Sequence, residues 1–274
     1  MKRYTVFGGR GFIGSEIVGM LEASGQDVWV PSRDDDSVFE TDLGTVIYSA
    51  GQGDCKNSPF GVFDANCRLL ADLLERGKFE RLVYVSSTRV YMNHDSSSEE
   101  ADLKVCTDDQ RRLFNLTKLV SEELCLKSGR NVTIVRPSNV YGVALHSPLF
   151  LPAITRNAIN HGKVDMYIDQ DYAKDYVSVT DVARACISLA THPESVGQII
   201  NVAAGYNITA KQIADVLQKH TQCEVIWHKI SFPNERFPET SLDKVKTYIN
   251  DYKPRNVLSD LEQMISDFYI HLKS

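Results

Sequence analysis

Near its start the chain reads Thr5-Val6-Phe7-Gly8-Gly9-Arg10-Gly11-Phe12-Ile13-Gly14-Ser15. An apolar strand runs directly into three glycines spaced three apart, and a helix begins among them. The first glycine permits a tight turn, the second lets backbone amides approach a ligand without a Cβ in the way, and the third allows the helix to lie close to the sheet. The positive amino end of a helix favours anions. The stretch therefore predicts a cradle for the pyrophosphate of a dinucleotide, although an ordinary strand-to-helix turn can carry the same glycines.

Composition limits the classes to which the chain can belong. Its 274 residues include 30 Lys and Arg against 36 Asp and Glu, a formal net charge of −6 with both signs scattered. No basic field is available to hold nucleic acid or an anionic membrane. A signal-type apolar stretch is lacking at the amino end, and no segment reaches about 18 uninterrupted apolar residues. We therefore expect a soluble cytoplasmic protein with no membrane and no nucleic-acid partner.

Cysteine spacing argues against a metal site. No two cysteines form a C-x-x-C pair, and most lie in apolar, periodic segments, so reduced core thiols are expected and no metal. The cysteines are Cys55, Cys67, Cys106, Cys125, Cys186 and Cys223.

The order of apolar runs predicts alternating strands and helices over the first half. Strands are predicted at about 3–7, 27–30, 45–48, 81–86 and 132–135, and helices at about 12–24, 60–77 and 107–128. This order predicts an α/β fold with a doubly wound parallel sheet of the Rossmann type. Too few residues separate the second and third strands for a full crossover helix, so that helix should be short or missing.

The pattern changes after about residue 142 and predicts a smaller carboxy-terminal lobe. Helices are predicted at about 152–161, 179–190, 210–219 and 258–272, with strands near 166, 199–202 and 225–227. We assign residues 1–142 to a dinucleotide-binding domain, to which a segment of about 170–203 returns. Residues 143–274 are assigned mainly to a substrate-binding lobe.

Several further motifs follow in order: Val46-Ile47-Tyr48-Ser49-Ala50-Gly51, Val83-Tyr84-Val85-Ser86-Ser87-Thr88-Arg89-Val90-Tyr91, Thr117-Lys118-Leu119 and Arg136-Pro137-Ser138-Asn139-Val140-Tyr141-Gly142. Together with the glycine loop, the series resembles the extended short-chain dehydrogenase/reductases, the NAD(P)-dependent epimerase/dehydratase family that acts mostly on nucleotide sugars. The resemblance covers nearly the full length.

The resemblance implies a set of functional residues. Ser87 would polarise a substrate oxygen, although a strand-end serine can instead satisfy local backbone. Lys118 would orient the ribose of the cofactor, unless it is a solvated lysine. The residues implied to bind the cofactor are Gly8, Gly9, Arg10, Gly11, Phe12, Ile13, Gly14, Ser32, Arg33, Ala50, Gly51 and Lys118. Those implied to bind the substrate are Ser87, Asn139 and Lys174, where Lys174 stands in place of the usual arginine. Arg236, in the loop 233–237, is the best remaining candidate to pair with phosphate, although a loop arginine can also be solvated.

The end of the second strand favours NADP over NAD. An NAD enzyme of this fold needs a carboxylate there for the adenosine ribose, but the chain has Ser32 followed by Arg33. A guanidinium suits a 2′-phosphate, and Arg10 can add a second cation. Acidic residues 34–36 follow closely and keep NAD open as the alternative.

The chain departs from the family at one position. The family has a tyrosine four residues before the lysine, whose phenol exchanges a proton with substrate, and counting back from Lys118 gives Phe114. Four interpretations remain open: another group such as Ser87, Tyr91 or a water transfers the proton; the protein binds without turnover; the phenylalanine is an introduced change; or the helix register differs.

Two classes of function follow from these alternatives. The first is an NADP-linked epimerase, dehydratase or reductase acting on a nucleoside-diphosphate sugar. The second is a cofactor-binding sensor or non-catalytic subunit of the same fold. In either case the resemblance implies a homodimer, formed through helices at about 66–77 and 107–128.

Overall fold

The computed structural model describes residues 2–145, 147, 149–229 and 235–272. The strands are β1 (Arg3–Phe7), β2 (Asp27–Trp29), β3 (Thr45–Tyr48), β4 (Arg81–Val85), β5 (Val132–Pro137), β6 (Asn139–Tyr141), β7 (Lys163–Met166), β8 (Ala173–Ser178), β9 (Ile199–Val202), β10 (Asn207–Thr209) and β11 (Glu224–Trp227). The helices are α1 (Phe12–Ala23), α2 (Pro59–Phe63), α3 (Leu69–Arg76), α4 (Arg112–Lys127), α5 (Phe150–His161), α6 (Val179–Leu189), α7 (Ala210–Thr221), α8 (Asp243–Tyr248) and α9 (Val257–Leu272).

A six-stranded sheet forms the centre of the fold, in the order β2-β1-β3-β4-β5-β9. Every neighbouring pair in it is parallel. The Rossmann-type α/β fold predicted from the sequence is therefore confirmed. Between β2 and β3 the chain makes a 3-10 turn at Asp36–Phe39 instead of a crossover helix, as the short spacing predicted.

Helices cover both faces of this sheet because its strands are apolar on both sides. On one face, α1 and α6 bury Ile17, Leu21 and Val182 against the strands. On the other face, α3 and α4 cover a core that includes Leu70 and Cys125. The carboxyl ends of the strands, where ligands bind in such sheets, lie at one common edge.

The second half of the chain builds two small sheets and a separate core. β8 pairs with β6 in parallel and with β10 in antiparallel orientation, while β7 pairs with β11 in parallel. Helices α5, α7 and α9 enclose the third core around Leu151, Ile213 and Phe268. Before α7, Thr209 and Gln212 form a reciprocal capping box, which fixes the start of that helix.

Several predicted boundaries were wrong, each for a local reason. α4 begins at Arg112 and not near 107, because the Asp109 carboxylate accepts the Arg111 amide and holds the preceding residues in a turn. The predicted helix 60–77 is interrupted by a π-helical turn at Asp64–Arg68. There the Asn66 carbonyl accepts a hydrogen bond from the Ser121 hydroxyl of α4. Strands β6 and β10 and helix α8 were not predicted because each is short, and β8 was not predicted because the charged Lys174 and Asp175 interrupt its apolar pattern.

Candidate active site

The glycine loop between β1 and α1 is closed so tightly that side chains are excluded. Gly8 has a φ of +77°, and a Cβ on it would lie 2.6 Å from the Ala50 nitrogen. A Cβ on Gly14 would lie 2.1 Å from the Gly8 carbonyl oxygen, and one on Gly9 would lie 2.8 Å from Val30 Cγ1. Contacts this short are forbidden to real Cβ atoms. The amides of the first turn of α1 can therefore face an anion at close range.

Arg10 points from this loop toward the end of β2. Its guanidinium donates to the carbonyls of Val30 and Pro31 at 3.3 Å each. Ser32 and Arg33 follow directly and are exposed. The structure thus brings the three residues predicted to select the cofactor to one corner of the sheet.

Ala50 and Gly51 follow β3 at the same edge and lead toward α4. A Cβ on Gly51 would lie 3.3 Å from Asn66 Oδ1 and 3.6 Å from Lys118 Nζ. Asn66 is buried, and its side-chain nitrogen donates to Thr117 Oγ1 at 2.9 Å. The amide side chain thereby fixes the loop after β3 to the lysine helix.

Lys118 is buried at the carboxyl end of β4. Its ammonium donates to the Val85 carbonyl at 2.9 Å and lies 4.9 Å from the centre of the Tyr84 ring. Burial lowers the pKa of Lys118 to about 8, and the carboxylate of Glu122 opposes that shift. The ammonium is therefore held beside Gly51 at this edge of the sheet.

Phe114 lies one helical turn before Lys118, as the counting from sequence required. The Lys118 ammonium is 5.8 Å from the centre of its ring, and the Arg111 guanidinium is 4.7 Å from the same centre. The ring is half-buried. The side chain fills the site without supplying a titratable atom.

The two serines after β4 have different environments. Ser86 is buried and donates to Glu122 Oε1 at 2.5 Å, so its hydroxyl is committed to the core. Ser87 is half-buried and caps the 3-10 turn Thr88–Tyr91, where its oxygen accepts the Arg89 amide at 3.1 Å. No acceptor for its hydroxyl hydrogen occurs among the described residues, which favours Ser87 over Ser86 as the serine that could donate to a substrate oxygen.

Of the residues predicted to bind substrate besides Ser87, the structure brings Asn139 and Lys174 onto adjacent strands and leaves Arg236 apart in a loop. Asn139 is exposed, and its side chain donates to the Asp175 carbonyl at 2.8 Å. Lys174 lies 3.8 Å from Glu235 Oε2, and burial lowers its pKa to about 8. Arg236 is exposed, and its backbone forms hydrogen bonds with Asn93. These contacts fix the backbone of Arg236.

Sequence reasoning missed two buried polar networks beside the site. Glu122 accepts bidentate hydrogen bonds from Arg136 at 2.9 and 2.5 Å, and Arg136 also donates to the Tyr91 hydroxyl at 2.6 Å. Tyr91 is thus occupied in the core, away from the proton-transfer role considered for it. The spacing of Glu122, four residues after Lys118 on α4, was the available clue.

The second missed network joins Arg89 to two carboxylates. Arg89 donates to Asp109 Oδ1 at 2.8 Å and to Glu235 Oε1 at 2.7 Å. Arg89 and Glu235 are 146 residues apart in the sequence, so no local pattern could have paired them.

The helices in the described ranges include none long and apolar enough to span a membrane. In those ranges no three His, Cys, Asp or Glu side chains converge as metal ligands. The six cysteines are unpaired, and four of them, Cys67, Cys125, Cys186 and Cys223, are buried.

The chain is similar to known proteins along most of its length. GDP-6-deoxy-D-mannose reductase of Pseudomonas aeruginosa is 26% identical over 257 residues, covering 82% of each chain. dTDP-glucose 4,6-dehydratase of Streptomyces niveus is 23% identical over 203 residues, covering 70% of this chain and 58% of its own.

Solved structures show the same fold. MoeE5 in complex with UDP-glucose and NAD superposes with a TM-score of 0.86 at 21% identity, covering 99% of this chain and 100% of its own. RMD from Pseudomonas aeruginosa complexed with NADPH superposes with a TM-score of 0.76 at 22% identity, covering 99% of this chain and 100% of its own. A family model described as the NAD dependent epimerase/dehydratase family matches residues 4–203. With the glycine cradle and the lysine helix in place at one edge of the sheet, this chain belongs to the NAD dependent epimerase/dehydratase family.

Proposed function

We propose that this chain is an NADP-dependent enzyme that epimerises, dehydrates or reduces a nucleoside-diphosphate sugar. The observation that carries the proposal is the shared edge of the sheet, where the Gly8 to Gly14 cradle, Ser87 and the Lys118 ammonium converge. Relatives named as a GDP-6-deoxymannose reductase and a dTDP-glucose dehydratase support the substrate class.

Each residue has a definite part in this proposal. A bound nicotinamide supplies the hydride acceptor or donor. The cradle holds the pyrophosphate through first-turn amides of α1, and Lys118 donates to ribose hydroxyls. Ser87 donates a hydrogen bond to the oxygen of the carbon that gains or loses hydride. Phe114 packs against the reacting sugar and contributes no proton.

The cofactor preference rests on Arg10, Ser32 and Arg33. Two guanidinium groups and a hydroxyl at the end of β2 can donate hydrogen bonds to a 2′-phosphate. No carboxylate that would bind a ribose hydroxyl immediately follows that strand. NAD remains the alternative.

Residues 1–142 are proposed to form the dinucleotide-binding domain, and a later segment of about 170–203 returns to it. The substrate-binding lobe is proposed to consist mainly of residues 143–274. Asn139 and Lys174 lie on the adjacent strands β6 and β8, so their polar groups can meet the diphosphate together. Arg236 is proposed as a third contact.

The competing function is a cofactor-binding protein without turnover, and Phe114 is the observation that favours it. Losing an acid or base group typically lowers a rate by about 10²–10⁴. The test is to measure NADPH binding and cofactor oxidation or reduction with a panel of nucleotide sugars, in wild type, Ser87→Ala and Phe114→Tyr.

The proposed enzyme turns over a sugar and loses that activity in Ser87→Ala, while Phe114→Tyr raises it. Cofactor binding with no turnover in wild type, but turnover in Phe114→Tyr, would establish the non-catalytic protein instead. No binding of NADPH or NADH to wild type would refute both.

We also propose a cytoplasmic homodimer. Leu116, Val120 and Leu124 are 42%, 49% and 39% exposed at four-residue spacing, which makes one apolar stripe along α4. Phe60 of the neighbouring α2 is 82% exposed. A second copy pairing through this face would bury the stripe. Light scattering should therefore show a dimer that Val120→Glu dissociates, whereas Ile270→Glu, at an exposed apolar site on α9, should leave it intact.

A further inference from the structure

Charged side chains gather around Arg111, with more cations than carboxylates among them. Arg89 and Arg111 lie near Lys174, and both oppose its protonation, while Asp109 and Glu235 are the carboxylates among them. The three cations Arg89, Arg111 and Lys174 and the two carboxylates together carry a net charge of +1.

Both carboxylates are already fully engaged. Asp109 accepts from Arg89 and from the Arg111 amide through Oδ1, and from Asn115 through Oδ2, each at 2.8 Å. Glu235 accepts from Arg89 through Oε1, and its Oε2 accepts from the Tyr172 hydroxyl at 2.8 Å. Lys174 is the only further cation within 4.0 Å of Glu235 among the described residues. Neither carboxylate forms a hydrogen bond or an ion pair with the Arg111 guanidinium in the described ranges, although both favour its charge from a longer distance.

Of the three cations, Arg111 is the one that forms no ion pair with any described residue. Within the described ranges its guanidinium makes neither a hydrogen bond nor an ion pair, although its ring contact with Phe114 holds it at 4.7 Å. A Cβ on Gly53 would lie 3.1 Å from its Nη2. The residue is exposed, yet desolvation and then the charge of Arg89 lower the pKa of its guanidinium, and the opposing effects of Cys55, Glu235 and Asp109 do not cancel that shift.

Arg111 is the N-cap residue of α4, and this position relates it to the substrate. Residues 111, 114 and 118 are spaced by three and four, so they lie on one helical face. Lys118 faces Gly51 on the cofactor side, and Arg111 faces Gly53 beyond the Phe114 ring, about 10 Å further along the axis. A sugar that stacks beside Phe114 would present its far substituents to this guanidinium.

We infer that Arg111 binds an oxyanion of the substrate, either a carboxylate on the sugar or an oxygen of the diphosphate. This inference rests on the proposed nucleotide-sugar function. A planar guanidinium with free donors pairs bidentately with either group. The packing of Arg111 against Phe114 and the engagement of both nearby carboxylates leave the ligand to supply the missing negative charge.

The experiment compares ligands that differ by one carboxylate. Binding of UDP-glucose, UDP-glucuronic acid, GDP-mannose, GDP-mannuronic acid, UDP and GDP is measured by calorimetry on the full chain saturated with NADPH. Arg111→Met removes the charge and keeps length, and Arg111→Lys keeps the charge and loses the fork. Arg112→Met is the matched control, because Arg112 is exposed and donates only to the Thr107 carbonyl at 3.2 Å among the described contacts.

Each outcome distinguishes one source of the anion. If Arg111 receives a sugar carboxylate, Arg111→Met weakens a uronic-acid ligand by about tenfold or more and spares its neutral partner. If it receives the diphosphate, the neutral sugar, the acid and the free nucleotide weaken alike. In both cases Arg111→Lys should lie between wild type and Arg111→Met.

Two results would overturn the inference, and they are distinguishable. Suppose that wild type binds at least one nucleotide and that the Kd values of Arg111→Met and Arg112→Met agree within about twofold for every nucleotide tested. Arg111 then has no role in binding. If wild type binds NADPH and none of the six nucleotides, the nucleotide-sugar function fails, and the inference that depends on it fails with it. Thermal unfolding of the variants, expected to match wild type, confirms that they are folded.

Discussion

Gly14→Ala should disable cofactor binding while leaving the protein folded. The added Cβ would lie 2.1 Å from the Gly8 carbonyl oxygen, 2.7 Å from its carbon and 2.8 Å from the Gly9 Cα. All three are backbone atoms, so no side chain can swing aside. Gly8 has a φ of +77°, a conformation that glycine adopts readily and that this turn uses. The loop must therefore move away from α1 by about 1 Å to accept a single methyl group.

The size of the effect follows from opposing contributions. Overpacking of this kind costs about 1–3 kcal/mol, while replacing a helical glycine with alanine returns up to about 1 kcal/mol. A net loss of about 1–2 kcal/mol in unfolding free energy is expected. For cofactor affinity, displacement of amides aimed at the pyrophosphate should raise the Kd for NADPH by about 10- to 100-fold.

Gly19→Ala is the matched control, because Gly19 lies on the same helix and a Cβ there meets nothing within 4 Å. It should raise stability by about 0.5–1 kcal/mol and leave the NADPH affinity unchanged. Thermal unfolding without ligand and fluorescence titration with NADPH measure the two quantities. Wild-type affinity in Gly14→Ala would refute the claim that the cofactor rests on this loop.

Three further predictions concern charges near the site. Glu122→Ala should destabilise the protein by about 3–5 kcal/mol in chemical denaturation, because it strands the buried Arg136 guanidinium, whereas Glu123→Ala at an exposed position should be nearly neutral. Unfolded Lys118 keeps its proton to higher pH than folded Lys118, so its contribution to stability rises from about pH 8 to about pH 10.5. Lys118→Met should remove about 2 kcal/mol of that rise, measured as the difference between the two stability curves up to about pH 10, and parallel curves would contradict the lowered pKa. Arg33→Ala should weaken NADPH by about tenfold and NADH little, and an equal loss for both would count against a 2′-phosphate site.

The fold could be predicted because its information is local. Each strand of the main sheet is an apolar run such as residues 45–48 or 81–85, and each is followed by a breaker or a helix start. The elements that escaped prediction have the opposite character. β8 carries Lys174 and Asp175 among its residues and is held by pairing with β6 and β10, which no window of sequence reveals.

The site divides in the same way. The glycine cradle, Ser87 and the turn between Phe114 and Lys118 are encoded within short stretches, so their spacing predicts their geometry. The cation cluster around Arg111 depends on Glu235, which reaches Arg89 from the far end of the chain. Long-range charge balance of this kind is a property of the folded chain, and composition or periodicity carries no trace of it.

The shape of the site does not depend on a phenol at position 114. Lys118 is held by the Val85 carbonyl, and its helix is tied to the rest of the fold by the Asn66 to Thr117 hydrogen bond. A buried ion pair from Glu122 anchors the same helix. None of these contacts involves the ring of Phe114, which lies 5.8 Å from the Lys118 ammonium and 4.7 Å from the Arg111 guanidinium. Adding one hydroxyl there should leave packing nearly unchanged, so a change in rate in Phe114→Tyr would report the missing proton donor and not a rebuilt site.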